Sequence, residues 1–416
     1  MRHERANQFA NAWPAPEETG VDVTIVMPCL NEAQCLPHCI MNAREALRRI
    51  ESEYGLSGEI VVADNGSTDG SQMLATGLGA RVVAVAERGY GAAVIGGSKA
   101  AYGKYVLMGD SDGSYDFTDG VAMIGELEAG AELCMGNRFK GGIAPGAMPW
   151  KNRYVGNPAL SGILNLFFRA GIRDAHSGLR AIRKQSFLEL GLSGSGMEFA
   201  SEMVIKAALK RLRIAETPVK LLPDLRDRAP HLRPWRDGWR HLRYLFMLSP
   251  TWVFGVPAVA AMVVATCVFV VGLLHLLGVL PQPIPFGSSW TIAGGFLFTT
   301  GHLALLMACA THLHGVRSNY RRLRPLLKRF EPLLRLEPLL IAGCAMIAGS
   351  LAGFAAIGVY WSNSSFAALP NILPLVLCAV LGAAGAQTVF GGFLLAIIAG
   401  NNATFVVPPP APDEAA

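Results

Sequence analysis

Three carboxylates lie within the short segment 110–116, which reads Asp-Ser-Asp-Gly-Ser-Tyr-Asp. It follows the apolar run 105–109, which predicts a buried strand. Carboxylate oxygens are the ligands that hard divalent cations prefer, and open α/β sheets bind ligands at the carboxyl ends of their strands. The segment therefore predicts a cation site at Asp110 and Asp112. The alternative is an acidic surface turn, because Asp, Ser and Gly are common in turns.

Two earlier strand candidates also end in acidic residues. The run 23–27 leads into Pro28, Asn31 and Glu32, and the run 59–63 leads directly into Asp64. The carboxyl ends of neighbouring parallel strands meet at one edge of a sheet, so we expect these residues to lie near Asp110.

The elements around these segments alternate along the chain. Strand-like runs at 23–27, 59–63, 81–86, 104–108 and 132–136 are separated by helix-like segments. Such alternation predicts an α/β domain over residues 21–230, with a mostly parallel sheet and helices on both faces. Residues 1–20 are polar and contain two prolines, which predicts a flexible tail.

The second part of the chain has a different composition. Hydrophobic residues make up 51% of the whole chain and charged residues only 16%, and long uncharged runs begin at residue 252. Four of these exceed the ~20 residues that cross a bilayer. The sequence therefore predicts an all-α membrane domain at 250–401 and a tail at 402–416; the alternative is a large buried helical core. The four runs are 252–278, 288–311, 338–361 and 371–400.

Loop charges predict the orientation of this membrane domain. The loop 312–335 is rich in arginine, whereas the loops 279–287 and 362–370 contain neither Lys nor Arg. Cytoplasmic loops carry the excess of positive charge. We therefore expect a multi-pass protein of the cell (inner) membrane, with the loop 312–335 and the α/β domain in the cytoplasm.

The segment 231–249 joins the two parts and is amphipathic. Trp235, Trp239 and Leu242 recur at helical spacing, and the arginines at 236, 240 and 243 fill the other side. This pattern predicts an interfacial helix on anionic lipid. The alternative is a linker that packs on the α/β domain. Basic charge beside apolar runs favours a membrane surface as the partner and not nucleic acid.

The three acidic strand ends together resemble the catalytic domain of glycosyltransferase family 2, which has the nucleotide-sugar-binding GT-A fold. The resemblance covers about residues 21–230. The segments 87–93, 136–139 and 174–183 are similar to one branch, the polyprenyl-phosphate glycosyltransferases such as dolichol-phosphate mannose and glucose synthases. The resemblance to family 2 implies a nucleotide site at Pro28, Asn31, Glu32, Asp64, Gly66, Ser67, Gly91 and Asp110.

The resemblance also implies a divalent cofactor, Mg2+ or Mn2+, held by Asp110 and Asp112. Ser114 stands where many relatives have Gln, so the third ligand is Ser114, Asp116, water or a substrate phosphate. Asp112 and four arginines are the predicted catalytic residues. Arg138 is expected at the diphosphate, because a guanidinium is planar and binds phosphate through two hydrogen bonds.

Other charged residues are candidates for the acceptor side of the site. Arg180, Arg226 and Arg228 are expected to hold the acceptor phosphate, with solvated or helix-end charges as the alternative. Ser177, Glu198 and Glu202 are expected near the sugar or acceptor. For the two glutamates, an acidic pair at a helix N-terminus is the alternative.

The predicted reaction is metal-dependent transfer of one hexose, with inversion, from a UDP- or GDP-sugar to undecaprenyl or dolichyl phosphate. A phosphate acceptor is anionic near neutral pH, so it needs positioning and no general base. The alternatives are a processive polysaccharide synthase, whose Gln-x-x-Arg-Trp string the sequence lacks, and a non-catalytic nucleotide-binding module. The sugar, the nucleotide and the oligomeric state stay open; a homo-oligomer is compatible with the sequence.

Overall fold

The computed structural model describes residues 20–227, 234–280, 287–321 and 325–400. The chain divides into two compact units between Leu248 and Ser249. The first unit is α/β and the second is helical. Nearly all of the two expected tails, 1–20 and 402–416, lies outside the described residues.

The first unit contains a seven-stranded sheet in the order β3-β2-β1-β4-β6-β5-β7. Strand β6 runs antiparallel to β4 and β5, and the other neighbours are parallel. The prediction of a mostly parallel sheet is confirmed. The strands are β1 Val23–Cys29, β2 Gly58–Asp64, β3 Arg81–Ala84, β4 Tyr105–Met108, β5 Leu133–Asn137, β6 Arg180–Arg183 and β7 Ile214–Pro218.

The sequence pattern does not predict strands β6 and β7. Strand β6 is short, and arginine stands at both of its ends. Such a segment lacks the apolar run or the alternation that marks a strand. Its antiparallel pairing with both neighbours stabilises it in the middle of the sheet.

Helices cover both faces of the sheet. Successive side chains of a strand point to opposite faces, and on β1 Ile25 lies in one core cluster with Leu36 and Ile40 of α1. Val26 faces α3, where a Cβ on Gly97 would lie 2.6 Å from it. The helices are α1 Leu36–Tyr54, α2 Ser71–Gly77, α3 Tyr90–Ala100, α4 Gly120–Glu128, α5 Arg138–Gly141, α6 Asn157–Phe168, α7 Lys184–Leu190, α8 Phe199–Lys210 and α9 Pro234–Met247.

The second unit contains α10 Val256–Leu276, α11 Ser288–Arg317, α12 Pro325–Phe330, α13 Leu336–Asn363 and α14 Leu373–Ile398. Among the described residues, four segments are long and apolar enough to cross a membrane: Thr251–Leu276, Ser288–Arg317, Leu336–Asn363 and Leu373–Ile398. Helix α11 therefore continues six residues beyond the predicted end of its span, into the basic segment 312–335.

Helices α13 and α14 approach each other closely at a pair of glycines. A Cβ on Gly343 would lie 2.8 Å from the carbonyl oxygen of Gly385, and the reverse contact is equally short. Small residues at such crossings let two helix backbones pack tightly where lipid provides no hydrophobic driving force.

Candidate functional site

The carboxyl ends of β1, β2 and β4 meet at one edge of the sheet because the three strands are neighbours. The Ser111 hydroxyl donates to the carbonyl of Pro28 at 2.6 Å, which ties the segment after β4 to β1. The Asn65 amide donates to the carbonyl of Cys29 at 2.9 Å, which ties β2 to β1. The three acidic strand ends therefore form one rigid edge.

A pocket of about 530 Å³ opens at this edge. Five of the predicted site residues line it: Pro28, Glu32, Asp110, Asp112 and Arg226. The lining also includes residues that are not predicted site residues, among them Asn65, Arg88, Gly89, Tyr90, Met197, Asp224, Arg236 and Arg240.

Arg226 bridges two of the acidic residues. Its Nη2 donates to Oδ2 of Asp112 at 2.7 Å, and its Nε donates to Oε2 of Glu32 at 3.2 Å. Both carboxylates are buried, so their charge requires a cationic partner. The guanidinium stands in for the cation that the sequence predicts beside Asp112.

The second oxygen of Asp112 is oriented by its own turn. Both the backbone amide and the hydroxyl of Ser114 donate to Oδ1, at 2.9 and 2.6 Å. Ser114 therefore fixes the direction of the Asp112 carboxylate in this structure. Oδ2 is left pointing toward Arg226.

Asp110 lies on the pocket wall under a tightly packed loop. A Cβ on Gly178 would come within 2.5 Å of Oδ2 of Asp110, so only glycine lets this loop approach. Burial, and then the neighbouring Asp112 charge, raise the pKa of Asp110 to about 6. Burial and the Asp110 charge also raise the pKa of Tyr90.

The segment that carries Arg226 is attached to the pocket on both sides. The Leu225 amide donates to the carbonyl of Asp112 at 2.8 Å, and the Gln34 side chain donates to Oδ2 of Asp227 at 2.7 Å. These bonds close residues 222–227 over the acidic edge. Arg228, predicted beside Arg226, lies outside the described residues.

The other predicted nucleotide residues shape the loops behind the pocket. Asp64 accepts hydrogen bonds from the amides of Gly66 and Ser67 and, at 2.6 Å, from the side chain of Gln72. Asn31 accepts from the Thr68 amide at 2.8 Å. None of these four predicted residues (31, 64, 66 and 67) is among the residues that line the described pocket.

The structure does not bring Arg138 into the pocket lining. Its Nε and Nη2 both donate to the Asp174 carboxylate at 2.7 Å, and its backbone amide donates to the same group at 3.0 Å. Both side chains are buried. The expected diphosphate contact is therefore replaced here by a buried two-bond ion pair, which the sequence did not indicate.

Arg180 is buried as well and lies outside the pocket lining. Its guanidinium donates to the backbone carbonyls of Ser177, Ala200 and Ala175, at 2.7, 2.9 and 3.2 Å. Burial lowers the pKa of Arg180. Through these hydrogen bonds Arg180 connects β6 to α8. The structure does not place Arg180 at the predicted site of the acceptor phosphate.

The remaining predicted residues hold the loop before α8. Glu202 is buried, pairs with Lys206 at 2.7 Å and accepts from the Gly194 amide, also at 2.7 Å. Glu198 accepts from the Gly196 amide at 3.0 Å. Gly91 faces the same loop, because its Cβ would lie 2.1 Å from the Gly194 carbonyl. Ser177 is fully buried; none of these four predicted residues lines the described pocket.

Helix α9 has three distinct sides, not the two that the sequence predicts. One side packs on α8, where His241 contacts the Ser201 hydroxyl at 2.8 Å and Leu245 is fully buried. The ring of His176 contacts the same hydroxyl at 3.2 Å, and burial lowers the pKa of this histidine. Trp239 is exposed on a second side. The third side faces the pocket.

Arg236 and Arg240 line the pocket from that third side. Their helical spacing in the sequence predicts contact with lipid headgroups instead. One feature of the sequence could have indicated their true direction: His241, next to Arg240, is a polar residue, and in the structure it is buried against α8. Packing on this side turns the two arginines toward the pocket.

Among the described residues, no group of three or more His, Cys, Asp or Glu side chains could hold a metal ion alone. The donor set still fits a hard divalent cation, because a carboxylate oxygen of Asp112 already points at a cationic group. Such an ion would take further oxygen ligands from water or from a phosphorylated ligand.

Comparisons with known proteins identify the family. A model of glycosyl transferase family 2 matches residues 24–191, and a model of the family 2 C-terminal transmembrane region matches residues 309–399. The low-salt glycan biosynthesis hexosyltransferase Agl6 of Haloferax volcanii is 34% identical over 384 residues, covering 92% of this chain and 90% of that protein.

Two further proteins show more distant similarity. A dolichyl-phosphate hexose transferase of Haloferax volcanii is 27% identical over 53% of this chain and 91% of its own length. The structure of glucosyl-3-phosphoglycerate synthase from Mycobacterium tuberculosis with Mn2+, uridine diphosphate and glucosyl-3-phosphoglycerate is 22% identical, with a TM-score of 0.42, over 56% of this chain and 81% of that one. The mostly parallel sheet, the four long apolar helices and the extended match to the hexosyltransferase agree: this chain is a membrane enzyme of glycosyltransferase family 2.

Proposed function

We propose that the enzyme transfers a single hexose, with inversion, from a UDP- or GDP-sugar to a polyprenyl phosphate. The observation that carries this proposal is the pocket in which Asp112 and Glu32 converge on the guanidinium of Arg226. It offers carboxylates for a cation and an arginine for phosphate at the same point. The similarity to a dolichyl-phosphate hexose transferase supports a lipid phosphate as the acceptor.

Asp110 and Asp112 would hold Mg2+ or Mn2+ together with the diphosphate of the donor. Bound there, the ion would neutralise the charge that develops as the nucleoside diphosphate leaves. Ser114 keeps the Asp112 carboxylate in one orientation for this purpose. We assign the buried ion pair of Arg138 and Asp174 to stabilising the surrounding loops.

The acceptor needs no proton removed. A phosphate monoester carries between one and two negative charges near neutral pH, so its oxygen is already a nucleophile. The protein has only to position it, and the position must lie on the side of the sugar opposite the diphosphate. Arg226, which is paired with Asp112 and Glu32 at 2.7 and 3.2 Å, would exchange these carboxylates for phosphate.

We place the catalytic domain at 21–230, the interfacial helix at 231–249 and the membrane domain at 250–401, with the catalytic domain in the cytoplasm. The arginine-rich loop 312–335 supports this orientation. The exposed Trp239 supports contact between α9 and the membrane interface.

The test is a transfer assay with the full-length chain in detergent. Radiolabelled UDP- and GDP-hexoses are offered with undecaprenyl phosphate, and lipid-extractable label is counted. We expect label from at least one donor, and its loss when a chelator removes divalent ions. The matched control is undecaprenol, which has the same tail without the phosphate. Equal label on the alcohol, or none from any donor, would contradict the proposal.

Replacing Arg226 with alanine should strengthen Mn2+ binding in the absence of nucleotide, because the guanidinium competes with the ion for Oδ2 of Asp112. Titration followed by the electron paramagnetic resonance signal of free Mn2+ measures this affinity. Arg44→Ala is the control, since this exposed arginine bonds to the carbonyl of Leu78. An unchanged or weaker affinity for Mn2+ in Arg226→Ala would argue against direct competition.

A further inference from the structure

We infer that Arg236 and Arg240 of helix α9 receive the phosphate group of the acceptor at the rim of the pocket. This inference rests on the proposed function and assigns the acceptor side of the same site. The two residues are four apart, so they lie on one side of the helix, and both line the pocket that contains Asp110 and Asp112.

The packing of α9 on the rest of the first unit determines which way this side faces. His241 lies next to Arg240 in sequence and contacts the hydroxyl of Ser201 at 2.8 Å. One turn further, Leu245 is fully buried. These contacts fix the rotation of the helix about its axis. The two arginines therefore face the pocket because of protein packing and not because of lipid.

The charged residues of the pocket come from different elements of the fold. Glu32, Asp110 and Asp112 follow strands β1 and β4, and Arg226 pairs with Glu32 and Asp112. Arg236 and Arg240 come from α9, a different element of the lining. A cation with a nucleoside diphosphate suits the acidic end. A phosphate monoester that arrives without a metal ion suits two guanidinium groups, which bind phosphate through paired hydrogen bonds.

The same helix presents different residues to the outside. Trp239 is more than 60% exposed on the second, outer side of the helix. Arg243 lies one turn beyond Arg240 and is exposed without lining the pocket. Lipid contact can therefore use this outer side while the pocket side binds phosphate. An acceptor whose phosphate reaches the pocket over α9 keeps its prenyl tail at the interface, where the outer side of the helix would lie.

The experiment compares Arg236→Ala and Arg240→Ala with Arg243→Ala, which removes the same charge from the same helix outside the pocket. Transfer to undecaprenyl phosphate is measured in an uncharged detergent, so that anionic lipid headgroups are absent. We expect KM for the acceptor to rise roughly 10- to 100-fold in the first two variants, the range for losing a hydrogen bond to a charged group. The KM for the donor and the rates of Arg243→Ala should stay near those of the wild type.

A binding measurement separates this inference from the proposed function. Citronellyl phosphate, a short prenyl phosphate, is titrated into each variant by calorimetry, and thermal unfolding verifies that the variants fold. If the wild type transfers no sugar but binds this probe through the two arginines, the proposed function is contradicted, whereas the phosphate site at Arg236 and Arg240 is supported. Equal affinity in all variants, or an equal loss in Arg243→Ala, would overturn the inference. The transfer assay is repeated in vesicles that contain anionic lipid. If the two variants lose activity only there, the arginines bind headgroups and the inference is overturned as well.

Discussion

Replacing Asp112 with asparagine should lower the rate of sugar transfer by roughly a thousandfold, because the site would lose the charge that we propose holds the cation. Asparagine has nearly the same shape, and its amide oxygen can still accept the two hydrogen bonds from Ser114 that Oδ1 accepts at 2.9 and 2.6 Å. The amide nitrogen would replace the Oδ2 that accepts from Arg226, but Arg226 keeps Glu32 as a partner at 3.2 Å, so the fold should survive. The initial rate at saturating donor and acceptor measures the effect, with Mn2+ titration as the second readout.

Asp116→Asn is the matched control, since it makes the same substitution in the same turn. Oδ1 of Asp116 accepts from the Thr118 amide at 2.9 Å and from the Asn42 side chain at 2.8 Å. Asparagine can accept both bonds and is as good a helix cap as aspartate. Asp116 is one of the third ligands that the sequence leaves open, but it does not line the described pocket, so this variant should keep its activity and its Mn2+ affinity. Full activity in Asp112→Asn with metal present would exclude a role for Asp112 in binding the cation.

The convergence of the acidic segments could be predicted from the sequence because it follows from local rules. Short apolar runs predict strands, and neighbouring parallel strands place their carboxyl ends at one edge. Strands β1, β2 and β4 obey both rules, so Glu32, Asp110 and Asp112 line one pocket. Four apolar runs also predict four long helices without any tertiary information.

The partners of the buried arginines could not be predicted in the same way. Arg138 and Asp174 are 36 residues apart, and their pairing depends on how the loop before β6 folds back toward β5. From the sequence alone, an arginine near an anionic substrate and an arginine in a buried ion pair look the same. Helix α9 poses a similar problem. The periodic pattern of Trp and Arg predicts an apolar and a basic side, but it does not predict which side of the helix packs on α8.

Replacing Asp174 with asparagine should destabilise the first unit by about 3–5 kcal/mol, because it leaves the buried guanidinium of Arg138 without its charged partner. Asp174 is fully buried and accepts three hydrogen bonds from Arg138. For a unit of this size, the loss corresponds to a melting temperature about 6–20 °C lower. Thermal unfolding of the full-length protein in detergent measures this shift.

Glu45→Gln is the control, since it also removes a carboxylate that contacts arginine, through Arg48 and Arg49. This cluster is exposed on α1, where water screens the charges, so the melting temperature should hardly change. The comparison also decides between two roles for Arg138. If Asp174→Asn melts at the same temperature as the wild type but loses transfer, Arg138 acts at the diphosphate, as the sequence predicts, and Asp174 orients it. If it melts early and the folded fraction still transfers sugar, the pair is structural, as its burial indicates.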